Sequence, residues 1–210
     1  MALFITFEGG EGCGKSVQAR ALYRRLSRLA IPAILTHEPG GTPLGRKLRR
    51  WLKGAAETEI SPLAELLLFN ASRAQLIADV IKPALENGQI VICDRYSDST
   101  TAYQSYGRGL DLKLVTAINN AATAGIKPHL AVLLDMPPDE GLARKKTSDP
   151  DRFEQEDIVF HQRVRDGFLK LATAEPQRWL VVDAAKSQQE IAEEIWNRVS
   201  QLLPRQKRKS

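Results

Sequence analysis

The sequence predicts an α/β fold: a three-layer domain with a five-stranded, mainly parallel sheet between helices. Three observations carry this. Apolar runs at 3–7, 31–36, 89–93, 130–134 and 179–182 are continuous rather than alternating, as in strands buried on both faces. Segments of helical period separate them, which is the sequence form of successive β–α–β crossovers. Polar and glycine-rich stretches follow the strands, and ligands bind beyond strand C-termini in such sheets.

Taken in order, residues 3–7 read as a strand and 15–29 as a helix with an apolar face of Val17, Ala21, Leu22, Leu26 and Leu29. The second strand, 31–36, opens into His37-Glu38-Pro39-Gly40-Gly41-Thr42, where Pro39 and two glycines mark a tight loop. Residues 43–52 are helical. Ser61 and Pro62 form the cap and first residue of a long helix ending near Pro83. Leu63, Leu66, Leu67, Ala71, Ala74, Ala78 and Ile81 repeat along it, and Leu68, Phe69, Leu76, Ile77 and Val80 widen the apolar surface. A helix apolar on several sides is buried on several sides, here against the sheet and against a partner subunit. The third strand, 89–93, ends in Asp94-Arg95-Tyr96, and a polar, aromatic stretch at 97–105 precedes Gly107-Arg108-Gly109. Helices at 112–124, 138–146, 154–172 and 188–203 alternate with the last two strands.

With 210 residues, 43% hydrophobic, the chain can bury a full core, and one domain over 1–204 is expected. Cys13 and Cys93 form no disulfide framework, and with three histidines they suggest no zinc site. A reducing, cytoplasmic setting follows. No segment reads as a secretory signal or a membrane span. Arg205, Lys207, Arg208 and Lys209 supply four of the formal +5, leaving +1 over residues 1–204. The basic balance is thus an effect of the tail at 205–210, and no nucleic-acid footprint over the domain is indicated.

Gly9-Gly10-Glu11-Gly12-Cys13-Gly14-Lys15-Ser16 fits Gly-x-x-x-x-Gly-Lys-Ser, with a strand before it and a helix after it. That is the setting of a phosphate-binding loop. Backbone N–H groups of the loop and of the helix start at Ser16 and Val17 converge on phosphate oxygens. Lys15, expected on the loop surface, adds a positive charge, and Ser16 can hold the magnesium that accompanies a nucleotide. No Asn-Lys-x-Asp element of a GTPase switch is present, which leaves a single-domain enzyme taking a nucleotide and a second substrate. Phosphoryl transfer needs cations around the moving group and a site closed to water. Arg49, Arg73 and Arg95 are placed to face an acceptor, and Asp94 to orient water or hold magnesium. Arg144, Lys145, Lys146 and Arg152 bracket the polar patch 147–151, a lid at about 142–153.

The chain resembles a thymidylate kinase through most of its length. The resemblance rests on Phe7-Glu8-Gly9 leading into the phosphate loop, Glu38-Pro39-Gly40-Gly41-Thr42, Leu48-Arg49, Phe69-x-x-x-Arg73, Asp94-Arg95-Tyr96, Ala102-Tyr103-Gln104 and Asp151-Arg152-x-Glu154. It implies ATP + dTMP → ADP + dTDP with Mg2+, a sheet of order 2-3-1-4-5, and a homodimer through the helix at 63–81. It implies that Phe69 stacks on thymine and Arg73 hydrogen-bonds to it, with Ser99, Thr100, Tyr103 and Gln104 completing the nucleoside pocket. Glu38, Pro39, Arg49 and Arg95 then border the acceptor phosphate, Asp94 orients magnesium, and Glu8 is an acidic position near sugar or metal. Glu11-Gly12-Cys13 carries no loop arginine, so the bacterial arrangement is implied, with Arg144 and Arg152 acting from the lid and Lys146 behind them. His37 stands where the family commonly has arginine, and Ser105-Tyr106 where it has glycines. Discrimination of dTMP from dUMP rests on one methyl, worth roughly 1–3 kcal/mol, so some dUMP turnover is expected. Rival readings are a kinase of another nucleoside monophosphate or deoxynucleoside, and a binding module that hydrolyses ATP.

Overall fold

The computed structural model describes residues 2–54, 59–145 and 151–203. Five strands, β1 (Leu3–Glu8), β2 (Ala33–His37), β3 (Ile90–Asp94), β4 (Leu130–Asp135) and β5 (Trp179–Asp183), form one parallel sheet of order β2-β3-β1-β4-β5. The expected order and direction are both observed. Alternate residues of β1 serve opposite layers. Leu3, Ile5 and Phe7 pack with Leu22 and Leu26 of α1 (Lys15–Arg28) and with Ile191, Ile195 and Val199 of α9 (Gln188–Leu202). Phe4 packs with Leu76, Ile77, Ile81 and Tyr96 on the other face, where Ala131 and Leu133 of β4 meet α8 (Ile158–Ala174). Burial on both faces is why these strands lack polar alternation.

In register, Phe7 lies beside Asp94, and Asp94 beside His37. The loops that leave β1, β2 and β3 therefore emerge side by side, which brings the phosphate loop, Glu38–Gly41 and Arg95 to one sheet edge.

The other helices are α2 (Pro43–Lys53), α3 (Pro62–Leu76), α4 (Lys82–Glu86), α5 (Ser97–Thr100), α6 (Leu112–Thr123) and α7 (Pro138–Arg144). Two wide π-type stretches, Ile77–Ile81 and Thr101–Gly107, continue α3 and α5. The long helix does not end at Pro83: the wide turn before it relieves the clash of the ring with the carbonyl four residues back, and the path runs on through α4. Residues 97–107, expected as a polar connection, are helical because Ala102 and Tyr103 are buried among Phe153, Phe160, Val164 and Phe168. Helix α8 starts four residues later than its pattern suggests. The Asp157 side chain caps it at Phe160 N, while Asp151 Oδ1 accepts from Phe153 N and Glu154 N and closes a separate turn.

Leu63 and Leu67 are about half exposed, and Ala71, Ala74 and Ala78 continue their stripe along one flank of α3 into the wide turn. Exposed Leu44 and Trp51 lie on neighbouring α2. The expected basic tail, most of the lid patch (146–150) and the polar loop at 55–58 lie outside the described residues.

Candidate active site: two clefts and a charged partition

The phosphate loop borders an open groove of about 1330 Å³. Its backbone is held by contacts too close for side chains. A Cβ on Gly9 would stand 2.5 Å from the Leu134 carbonyl oxygen, and one on Gly12, at φ +68°, only 1.8 Å from that of Gly141 in α7. Gly14, at φ +90°, caps α1 without a side chain, so the first N–H groups of that helix face the groove. Glu11, Gly12, Gly14, Lys15, Ser16 and Val17 line it, whereas Cys13 is buried beneath, its thiol 3.1 Å from the Gly10 carbonyl. Lys15 is not on the loop surface. It is 7% exposed, folded over the loop, with its ammonium donating to the Gly10 carbonyl. Across the groove the Ser16 hydroxyl donates to Asp94 Oδ2. A hydroxyl beside a carboxylate is the hard-oxygen donor set that suits Mg2+. Among the described residues there is no cluster of three His, Cys, Asp or Glu side chains able to hold a metal alone. A Mg2+ ion there would share its coordination with substrate phosphates.

Beside the groove lies a narrower cleft of about 410 Å³, walled by Phe69, Tyr103 and Phe153 and edged by Pro39, Arg73, Thr100 and Gln104. Arg73 is 1% exposed, and each of its nitrogens is engaged. Nε donates to Glu38 Oε2 (2.8 Å), Nη1 to Asn70 (3.1 Å) and Asn119 (3.0 Å), and Nη2 to Thr100 Oγ1 (2.7 Å). Burial raises the Glu38 carboxyl above its ordinary range, against the opposing pull of Arg73. Gln104 donates to Glu65 Oε1 (2.9 Å), a fully buried carboxylate that also receives Arg108 and Arg152.

Glu11, Glu38, Lys53 and Arg95 line both cavities. Arg95, a non-glycine residue at φ +70°, is held in a sparsely populated conformation of the kind that clusters at functional sites. Its Nη1 donates to Gly9 O (3.0 Å) and Ser99 Oγ (3.2 Å), and its Nη2 to Glu11 Oε1 (2.7 Å) and the Tyr103 hydroxyl (3.2 Å). The Tyr103 hydroxyl donates in turn to Glu11 Oε1 (2.8 Å), and Lys145 Nζ to Glu11 Oε2 (2.8 Å). Burial pushes the Glu11 carboxyl up, but Arg95, Lys15, Lys145 and Lys53 outweigh it and hold the group well below the usual range. Glu8 is the opposite case. It is fully buried outside both cavities, 2.5 Å from Ser99 Oγ, and its other oxygen has no partner. Burial first, then the charges of Asp98 and Glu38, push its carboxyl to about 8, against Ser99 and Arg95.

The predicted residues thus divide. Lys15, Ser16, Arg49, Asp94 and Arg95 meet at the groove, and Phe69, Arg73, Ser99, Thr100, Tyr103 and Gln104 at the cleft. Arg49 Nη1 is tied to the Pro39 carbonyl (3.0 Å). The two lid arginines line neither cavity. Arg144 donates to the Ala184 carbonyl (2.9 Å), and Arg152 joins Arg108 on the fully buried Glu65 carboxylate. Lys145, expected as a lid cation, lines the groove, whereas Lys53, Asn70 and Asn119 were not expected at the site. For Lys53 a signal existed: it lies four residues after Arg49, on the same helix face. Asn119 carried none, because only tertiary packing sets α6 against α3.

A phosphate loop on a doubly covered parallel sheet, with a second aromatic-walled cleft across a charged partition, defines a P-loop kinase of nucleoside monophosphates. The family model for thymidylate kinase matches residues 7–195. The chain is 60% identical over 203 residues to the thymidylate kinase of Dehalococcoides mccartyi, covering 97% of this chain and 98% of that one. It is 52% identical over 200 residues to the thymidylate kinase of Deinococcus radiodurans, covering 95% and 97%. A crystal structure of thymidylate kinase from Ehrlichia chaffeensis superposes with a TM-score of 0.78 at 34% identity, covering 94% of this chain and 98% of that one. The chain belongs to the thymidylate kinase family.

Proposed function

We propose that this enzyme transfers the γ-phosphoryl group of ATP to dTMP, giving ADP and dTDP. The observation that carries the reading is the pair of adjoining cavities, one lined by the phosphate loop and one by Phe69 and Tyr103, with four charged side chains common to both. The loop N–H groups, the start of α1 and Lys15 bind the polyphosphate. Phe69 gives the thymine a face to stack on, and Thr100, Gln104 and Arg73 give its polar edge partners. A base contact to Arg73 requires one of its present partners to yield. Arg49 and Arg95 hold the acceptor phosphate. An oxygen of that phosphate bonds to the γ-phosphorus as the bond to the β–γ bridging oxygen breaks, and the electron pair leaves on ADP. The acceptor is already ionised, so positioning and charge neutralisation do most of the work. Ser16 and Asp94 fit Mg2+, which when bound neutralises polyphosphate charge. Arg144 and Arg152 serve the phosphates only when the lid moves them off Ala184 and Glu65.

A second copy of the chain fits the exposed stripe of Leu63, Leu67, Ala71, Ala74 and Ala78, and a homodimer there covers it. Free, buried Cys13 and Cys93 suit a reducing cytoplasm. The test is initial rates with ATP and Mg2+ on dTMP, dUMP, dCMP, AMP and thymidine. dTMP should give the highest kcat/KM, with dUMP measurable. A better acceptor among the others, or ATP hydrolysis indifferent to dTMP, overturns the reading.

A further inference from the structure

Lys53 ends α2 at the junction of the two cavities, where an acceptor phosphate and a donor polyphosphate would meet. Its side chain lines both, is 23% exposed, and stands with Nζ 2.6 Å from Asp151 Oδ2. Asp151 belongs to the turn just after the lid patch and keeps its other oxygen for two backbone N–H groups of that turn. Among the described residues, the charged groups that act most on the ammonium are Glu11 from the phosphate loop, Asp151 and Arg95 from the end of β3. Burial disfavours its charge, and Glu11 and Asp151 restore part of it. A cation left in a half-dry partition, where Arg144 and Arg152 are both turned elsewhere, invites a more negative partner than one carboxylate.

We infer that Lys53 is a catalytic cation of the phosphoryl transfer, its ammonium reaching the oxygens of the moving group from the acceptor side. The inference rests on the reading above and deepens it. Asp151 holds the lysine at rest. When two phosphates occupy the junction, the ammonium turns from Asp151 to the phosphoryl oxygens and offsets the negative charge spread over them. A lysine suits this task because it is a compact charge on a flexible stem with three N–H donors. Lys53 moves no proton: it neutralises charge while the new P–O bond forms and the bridging P–O bond breaks.

The experiment compares Lys53→Met, Lys53→Arg and Asp151→Asn with the wild type, each checked by a thermal melt. Lys53→Gln stands in if the methionine variant does not fold. Met keeps the stem and loses the charge, and Asn at 151 keeps the turn-capping oxygen while breaking the ion pair. Expected are a kcat for dTMP phosphorylation lowered about a hundredfold in Lys53→Met, ATP binding unchanged, and most of the loss recovered in Lys53→Arg. Asp151→Asn should lose no more than about threefold, whereas a merely structural ion pair would make Asp151→Asn and Lys53→Met equally costly. Equal losses, a Lys53→Met kcat close to wild type, or no recovery with arginine overturns the inference alone. A wild-type enzyme inactive on dTMP overturns the functional reading and the inference together.

Discussion

Glu8→Gln should make the protein more stable, by an amount that depends on pH in a defined way. The side chain is fully buried at the end of β1, one oxygen lacks a partner, and its carboxyl titrates at about 8 against an ordinary value of 4.5. Below pH 4.5 the group is neutral folded and unfolded, so glutamine changes little. Between 4.5 and 8 the unfolded wild-type chain releases a proton that the folded chain keeps, and folding stability falls as pH rises. Each pH step weakens the wild type relative to the variant by about 1.4 kcal/mol, which accumulates to about 3 kcal/mol at pH 7 and about 5 kcal/mol above pH 8. For a chain of this length, about 3 kcal/mol corresponds to roughly 6–12 °C in melting midpoint. The assay is thermal unfolding of both proteins at pH 5, 6, 7, 8 and 9. The midpoint difference should widen up to pH 8 and then level. A difference that stays constant from pH 5 to 9 would mean that Glu8 is ionised when folded, and the reasoning fails.

Arg73→Met removes the cation that opposes burial at Glu38, so that carboxyl is pushed further up and folds protonated. With Asn70, Asn119 and Thr100 also left without their donor, the loss should reach about 3–5 kcal/mol and grow as pH rises. Arg73→Met/Glu38→Gln should remove the pH-dependent part of it in the same melts. In the methionine variant that does fold, the KM for dTMP should rise far more than that for ATP; equal rises would place Arg73 outside the acceptor cleft. Lys15→Ala should lower kcat by a factor on the order of 10²–10³ and leave the melting midpoint within a few degrees, because the ammonium's partners within the loop are one backbone carbonyl and the weakly accepting Cys13 sulfur. A large drop in midpoint would show that the loop needs the lysine to hold its shape.

The strands were legible because each is apolar throughout, and β1 and β4 needed only one residue more than their apolar runs. Their ends moved because Glu8 and Asp135, polar by composition, still pair within the sheet. Ser97–Gly107 resisted reading for a physical reason: its helical form comes from Tyr103 burying its ring among aromatic residues of α8 and the lid turn, contacts that have no local signature. At the site, motif residues were legible one by one, because a phosphate loop is a local backbone device. Their partners were not. Asn119, Glu65 and Lys145 reach Arg73, Arg152 and Glu11 over 46, 87 and 134 residues of chain, and no periodicity spans such distances.

The partition of Glu11, Glu38, Lys53 and Arg95 has a thermodynamic corollary. A wall of mixed charges owned by two compartments cannot be retuned for one occupant alone. If donor nucleotide tightens the hold on the monophosphate by some factor, the monophosphate must tighten the hold on the nucleotide by that same factor. Titrating either ligand in the presence of the other therefore measures a single quantity, the free energy of coupling across that four-residue wall.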